Sequence, residues 1–124
     1  MQQSVRRYSN GRGVQMTQPS NMGMYLFRLG LNAQMGGDLN KALELYEKVI
    51  EIDPEYSPAW MEKGNCLDGL CKYEEAIKSY DAVIERDPCN AEAWFDKGFT
   101  LKKMGRTEQA CECMDKSMML SLGR

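Results

Sequence analysis

Apolar and small residues fall three and four positions apart along most of this chain, the spacing of an amphipathic helix. The middle of the sequence carries the pattern most clearly. Ala59, Trp60, Gly64, Leu67 and Leu70 trace one stripe, and Tyr73, Ala76, Ile77, Tyr80, Val83 and Ile84 trace a second. Gly69 and Cys71-Lys72 separate the two. Asp87-Pro88 closes the second, because the proline ring disfavours helix at the preceding residue and lacks an N–H to continue the ladder. Asn90 then stands where a side chain caps the next helix. The pattern predicts two antiparallel helices joined by a short turn.

The whole hairpin recurs with a period of 34 residues. That shift relates Trp60 to Trp94, Gly30 to Gly64 and Gly98, and Ala42 to Ala76 and Ala110. It also relates Tyr46 to Tyr80, Val49 to Val83, and Asp53-Pro54 to Asp87-Pro88. Units 23–56, 57–90 and 91–124 follow, preceded by a leader at 1–22. A fixed period of this size marks stacked repeats, each unable to bury its apolar face alone. A coiled coil is excluded, since no heptad persists past a hairpin. Gly64 on the first helix and Ala76 on the second are expected to let the backbones approach closely, with Trp60 beside them; Gly30/Ala42 and Gly98/Ala110 repeat the arrangement.

Tryptophan, glycine four later, alanine twelve after the glycine, an aromatic four further on and proline eight after that: this set resembles the tetratricopeptide repeat. Unit two matches through Trp60, Gly64, Leu67, Ala76, Tyr80, Val83 and Pro88. Unit one departs at Leu26 and Ala33, and unit three at Met114 and Ser117, with no closing Asp-Pro. Lys63 and Lys97 stand where the family has leucine, although their stems still cover apolar surface. The resemblance implies an all-α fold: an α-solenoid of three stacked antiparallel helical hairpins in a right-handed superhelix.

Composition narrows the function. All 18 acidic residues lie within the repeats, whereas Arg6, Arg7 and Arg12 make the leader basic. An acidic array is a poor nucleic-acid scaffold, because phosphate binding needs clustered Lys and Arg. The leader's Arg, Gln, Ser, Asn and Gly predict a flexible segment. No apolar run approaches the ~20 residues of a membrane span. The leader lacks the apolar stretch of a secretion signal, so a cytoplasmic location is expected.

Five cysteines do not suit a disulfide framework, and the absence of histidine excludes a mixed Cys/His zinc site. Cys111 and Cys113 sit ~200° apart on a helix, and Cys66 and Cys71 have no second matching pair, so neither metal nor cofactor is expected. There is no phosphate-binding glycine loop and no nucleophile elbow. Glu74-Glu75 open a second helix, where negative charge suits the N-terminus. A binding module, not an enzyme, is expected.

The resemblance places a partner segment in a concave groove lined by the first helices. The facing residues would include Phe27 and Leu31 in unit one, Met61, Glu62, Asn65 and Asp68 in unit two, and Glu92, Phe95, Asp96 and Phe99 in unit three. Phe27, Met61 and Phe95 occupy one equivalent position, and Leu31, Asn65 and Phe99 another. Either they form an apolar ribbon along the groove, or some pack against the neighbouring hairpin. Family members that hold acidic chaperone tails use a clamp of Lys, Asn and Arg. The matching positions here are Phe27, Leu31, Glu62, Glu92 and Asp96, none of them basic. The expected partner is therefore a protein or peptide segment, apolar with basic flanks. The leader, with Arg6, Arg7, Arg12 and Met16, could itself occupy such a groove through its tether.

The last hairpin raises a second expectation. A terminal repeat needs a polar outer face, yet Met104, Cys111 and Met118 are apolar. Self-association into a homo-oligomer or array through that face is the alternative function; a longer array or a docked partner would equally cover it.

Overall fold

The computed structural model describes residues 21–123; the leader's residues 1–20, and the groove occupancy expected of them, lie outside the described residues. The elements are α1 (Asn21–Met35), α2 (Leu39–Ile52), α3 (Ser57–Gly69), α4 (Tyr73–Arg86), α5 (Ala91–Lys103) and α6 (Thr107–Ser121), with no strand among the described residues. They pair as α1–α2, α3–α4 and α5–α6, and α2 packs on α3 as α4 packs on α5. The architecture is the expected all-α solenoid. α1 starts at Asn21, two residues before the unit boundary drawn at 23.

Local chemistry fixes where helices begin and end. Asp38 and Asn90 accept the backbone N–H groups of Lys41 and Ala93 at 3.1 and 3.0 Å, capping α2 and α5. Pro58 opens α3, where its missing N–H costs nothing. Asp53 and Asp87 close α2 and α4, each accepting an N–H two residues on, from Glu55 and Cys89, at 3.2 Å. The indoles complete this device. Trp60 donates to the Pro54 carbonyl and Trp94 to the Pro88 carbonyl, both at 2.8 Å. Tryptophan and Asp-Pro thus act together, tying each new hairpin to the turn that precedes it.

The glycines serve a different contact from the one expected. A Cβ on Gly30 or Gly64 would lie 2.6 Å from the ring of Tyr46 or Tyr80, so the space is occupied by tyrosine, not alanine. In unit three, where Met114 replaces the tyrosine, the nearest atoms to Gly98 are Met114, the Ala110 carbonyl and Cys113. Tyr46 and Tyr80 are the largest sealed side chains of the fold. Each donates its hydroxyl to a first helix: Tyr46 to Gln34 at 2.6 Å, Tyr80 to Asn65 at 2.8 Å. Burial is the main force that raises both phenols above their ordinary range.

The core runs as linked clusters between hairpins. Ala42, Tyr46 and Cys66 join hairpins one and two; Met61, Leu67, Tyr80, Val83 and Ala93 fill the centre; Ile77, Leu101, Ala110 and Cys113 join hairpins two and three. Both buried thiols are raised by desolvation, Cys66 to about 11, which makes them poor nucleophiles.

Each hairpin turn needs one left-handed residue, again at the 34-residue period: Gly37 (φ 88°), Cys71 (φ 63°) and Gly105 (φ 81°). Cys71 is the non-glycine among them, and a Cβ in that region carries a steric cost. Cys71→Gly is expected to raise the stability of the protein by about 1 kcal/mol. Urea unfolding monitored by circular dichroism checks this; a lower midpoint would show that the side chain contributes more than its backbone strain removes.

Candidate binding groove

The first helices line one side of the stack. α3 and α5 pack directly on each other there, while no pair of second helices does so comparably. The residues expected on this face fall into three groups.

Four belong to the interior or to links between helices. Met61 is 7% exposed and part of the central cluster with Tyr80 and Ala93. It is not a groove residue, which corrects the expected Phe27–Met61–Phe95 ribbon. The reason is the following hairpin, whose small Ala93 leaves room for a methionine beneath it. Asn65 is held by the Tyr80 hydroxyl and donates to Glu62 at 3.4 Å. Asp68 accepts the Thr100 hydroxyl at 2.7 Å and the Lys103 ammonium at 2.6 Å, bridging α3 to α5. Leu31 packs against the cluster of Ala42, Tyr46 and Cys66.

Phe27 is intermediate. Its ring meets Tyr46 and, edge-on, Tyr56, with centroids 5.6 and 5.4 Å apart. Tyr56 precedes α3, so the second hairpin half-covers Phe27 as the third covers Met61.

Of the remaining five, Glu92, Phe95 and Phe99 are exposed, and Glu62 and Asp96 are half-buried. Phe95 and Phe99 are 49% and 46% exposed, their rings stacked with planes 7° apart and centroids 6.3 Å apart. Lys103 lies 4.7 Å over the Phe99 ring. Next to this pair in sequence and across the groove are Glu62, Glu92 and Asp96. The Asp96 carboxyl is pushed up to about 6, first by its own burial, then by the charges of Glu92, Asp68 and Glu62. The site therefore combines stacked aromatic surface with crowded carboxylates. Lys103 already serves the Phe99 ring and Asp68, whereas no ion pair among the described residues reaches Glu62, Glu92 or Asp96, so these acids favour a further cation. Among the described residues no group of His, Cys, Asp and Glu is arranged to hold a metal ion. An open cleft of about 570 Å³ between Trp60, Lys63, Glu75 and Lys78 involves none of these open residues.

Of the residues expected on the terminal face, Cys111 and Met118 are exposed, Met118 at 59%. Met104 is half-buried against the Ile77–Leu101 cluster and belongs to the seam between hairpins, a correction to that expectation. No described helix is long and apolar enough to cross a membrane.

Comparison with known proteins agrees with this architecture. Residues 35–88 match one family model for the tetratricopeptide repeat and residues 79–112 match another. An uncharacterized protein of Methanocaldococcus jannaschii is 42% identical over 52 residues, 42% of this chain and 60% of that protein. A solved structure of MamA (AMB-1) is 27% identical with a TM-score of 0.78, over 86% of this chain and 62% of that one. YrrB, a TPR protein with an unusual peptide-binding site, is 26% identical with a TM-score of 0.76, over 79% of this chain and 50% of that one. The chain thus spans less than two thirds of each.

The raised Asp96 carboxyl has a signature in stability. It binds its proton more tightly in the folded state than in the unfolded chain, so it favours the fold below pH about 4, and that contribution is lost as pH rises through about 6. Asp96→Asn should stabilise the protein at pH 7.5 by about 1 kcal/mol, allowing for solvent screening, and leave it unchanged at pH 4. Thermal melts at the two pH values check this; equal effects at both would remove the assigned proton.

Proposed function

Given that this chain belongs to the tetratricopeptide-repeat family, we propose that it is a protein-interaction scaffold whose groove captures an apolar segment carrying Lys or Arg. The observation that carries the reading is the stacked, exposed Phe95–Phe99 pair beside Glu92, Asp96 and Glu62. Exposed aromatic surface of this kind is a feature of binding sites. An apolar residue of the partner covers the rings, while a flanking ammonium or guanidinium meets the carboxylates. The capture zone is centred on the third hairpin and does not run the full length of the solenoid. Recruitment of this sort needs no cofactor and no chemical step, and the unpaired thiols suit a reducing cytoplasm. An affinity in the micromolar range, about −8 kcal/mol, suits a single short segment.

Partner charge couples to Asp96. A cation at the groove lowers the carboxyl from about 6, so capture releases a proton and strengthens as pH rises from 5 to 7. An acidic tail would meet repulsion instead.

The alternative reading is self-association through the terminal face that includes the exposed Cys111 and Met118 of α6, and its mark would be a dimer unaffected by groove substitutions. The two readings separate experimentally. A labelled peptide with three apolar residues between lysines serves as probe, and an otherwise identical glutamate-flanked peptide as control. Phe95→Gln with Phe99→Gln should lower affinity for the lysine peptide about tenfold or more, with helix content unchanged. Asp96→Asn should flatten the pH dependence. Equal binding of both peptides, or no loss in the double variant, would reject the groove reading.

A further inference from the structure

The second helices repeat in surface chemistry as well as in position. On α2 one stripe reads Leu39, Leu43, Glu47, Ile50; on α4 the same register reads Tyr73, Ile77, Asp81, Ile84. Neither apolar set is open to solvent. Leu39, Leu43 and Ile84 are half-buried against core clusters, and Ile77 is buried. The covering helices, α3 and α5, bring the same two residues to the seam. The first is a fully buried alanine, Ala59 or Ala93. The second, four positions later, is a lysine that pairs with the acid of the covered stripe: Lys63 with Glu47 at 3.7 Å, Lys97 with Asp81 at 2.7 Å. The lysine stems also lie beside the indoles, with Nζ 5.3 Å from the Trp60 ring and 5.8 Å from the Trp94 ring.

On α6 the stripe one period further on reads Thr107, Cys111, Asp115, Met118. All four residues are exposed, and no ion pair among the described residues reaches Asp115. Leu122, 61% exposed, continues the apolar side by one further turn. The acid is kept in register while the lysine that answers it is supplied by nothing described. This face has a defined complement, and it can be read from the two seams the molecule already makes.

We propose that α6 is a docking site for an amphipathic helix of another protein, one presenting a small residue and, four positions later, a lysine. It seats as α3 and α5 do: the small residue allows close approach, the lysine meets Asp115, and apolar side chains cover Cys111 and Met118. A second copy of this chain fits poorly. Its first helix carries Tyr25 where α3 and α5 carry buried alanines, and Leu29 where they carry lysine. A tyrosine in that seam holds the helices apart, and leucine leaves Asp115 unanswered. The site is separate from the groove and stands independently of the function proposed there.

The probe is a labelled peptide of residues 90–103, which carries Ala93 and Lys97 and no cysteine. Isolated, so short a helix is marginal in water, so the probe is stapled on its solvent face. Fluorescence anisotropy against the full chain should show saturable binding. Met118→Asp should weaken it about tenfold, and Asp115→Lys three- to fivefold, the scale of a partly exposed ion pair. A probe with Lys97→Glu should recover affinity for Asp115→Lys and lose it for the unaltered protein. Circular dichroism confirms that these surface variants fold. Asp115→Lys should leave capture of the lysine-flanked groove peptide unchanged, so failure of either proposal shows separately. Indifference to the charge exchange would overturn the inference. A dimer in sedimentation velocity that Met118→Asp dissolves would overturn it too, by making a second copy the occupant.

Discussion

A solenoid hairpin is finished only by its neighbour, and most of what distinguishes this molecule follows from that constraint. Each hairpin closes its own interior, through Gly30 against Tyr46, Gly64 against Tyr80 and Gly98 against Met114, but one flank of each second helix waits for the next first helix. Where that helix arrives, apolar residues are sealed and lysines find acids. Beyond α6 no described helix arrives. Equivalent positions therefore have unequal fates: Met61 is interior, Phe27 half-covered, and Phe95 open.

This asymmetry shapes the functional surface. No described hairpin covers Phe95 and Phe99, and they sit beside Asp96, whose carboxyl is raised to about 6 by burial first and by neighbouring carboxylates second. Water and protons satisfy the site when it is empty, and a basic apolar segment satisfies it better. At the middle of the array the same helix face is spent on cohesion. Asn65 holds Tyr80, and Asp68 ties α3 to Thr100 and Lys103. The two indoles, bonded to the carbonyls of the Asp-Pro turns, tie consecutive hairpins together alongside the shared core clusters.

The fold was legible because it rests on periodicity, which a single sequence displays. Trp60/Trp94, the glycines and Asp-Pro repeat at a fixed spacing, and the six helices follow from them. The site was legible only in part. Register puts Phe95, Phe99, Glu92 and Asp96 on one helix, but helix phase does not report what the next hairpin covers. Met61 and Phe95 share a phase and differ in neighbours. Asp68 looked like a groove acid because its partner Thr100 lies 32 residues away, beyond any local pattern. The left-handed turn position was readable in principle, since Gly37 and Gly105 share a register with Cys71. So was the tyrosine contact, from an aromatic sixteen residues after Gly30 and Gly64.

The central claim is that coverage by a following hairpin, not side-chain type or helix phase, decides which apolar residues meet solvent. Methionine oxidation measures it directly, because peroxide modifies exposed thioethers and spares sealed ones. Under dilute peroxide, with sites resolved by mass spectrometry, Met118 and Met119 should react nearly as fast as free peptide, and Met61 should be strongly protected until the protein unfolds. Oxidation of Met61 at the rate of Met118 in the folded protein would contradict the account.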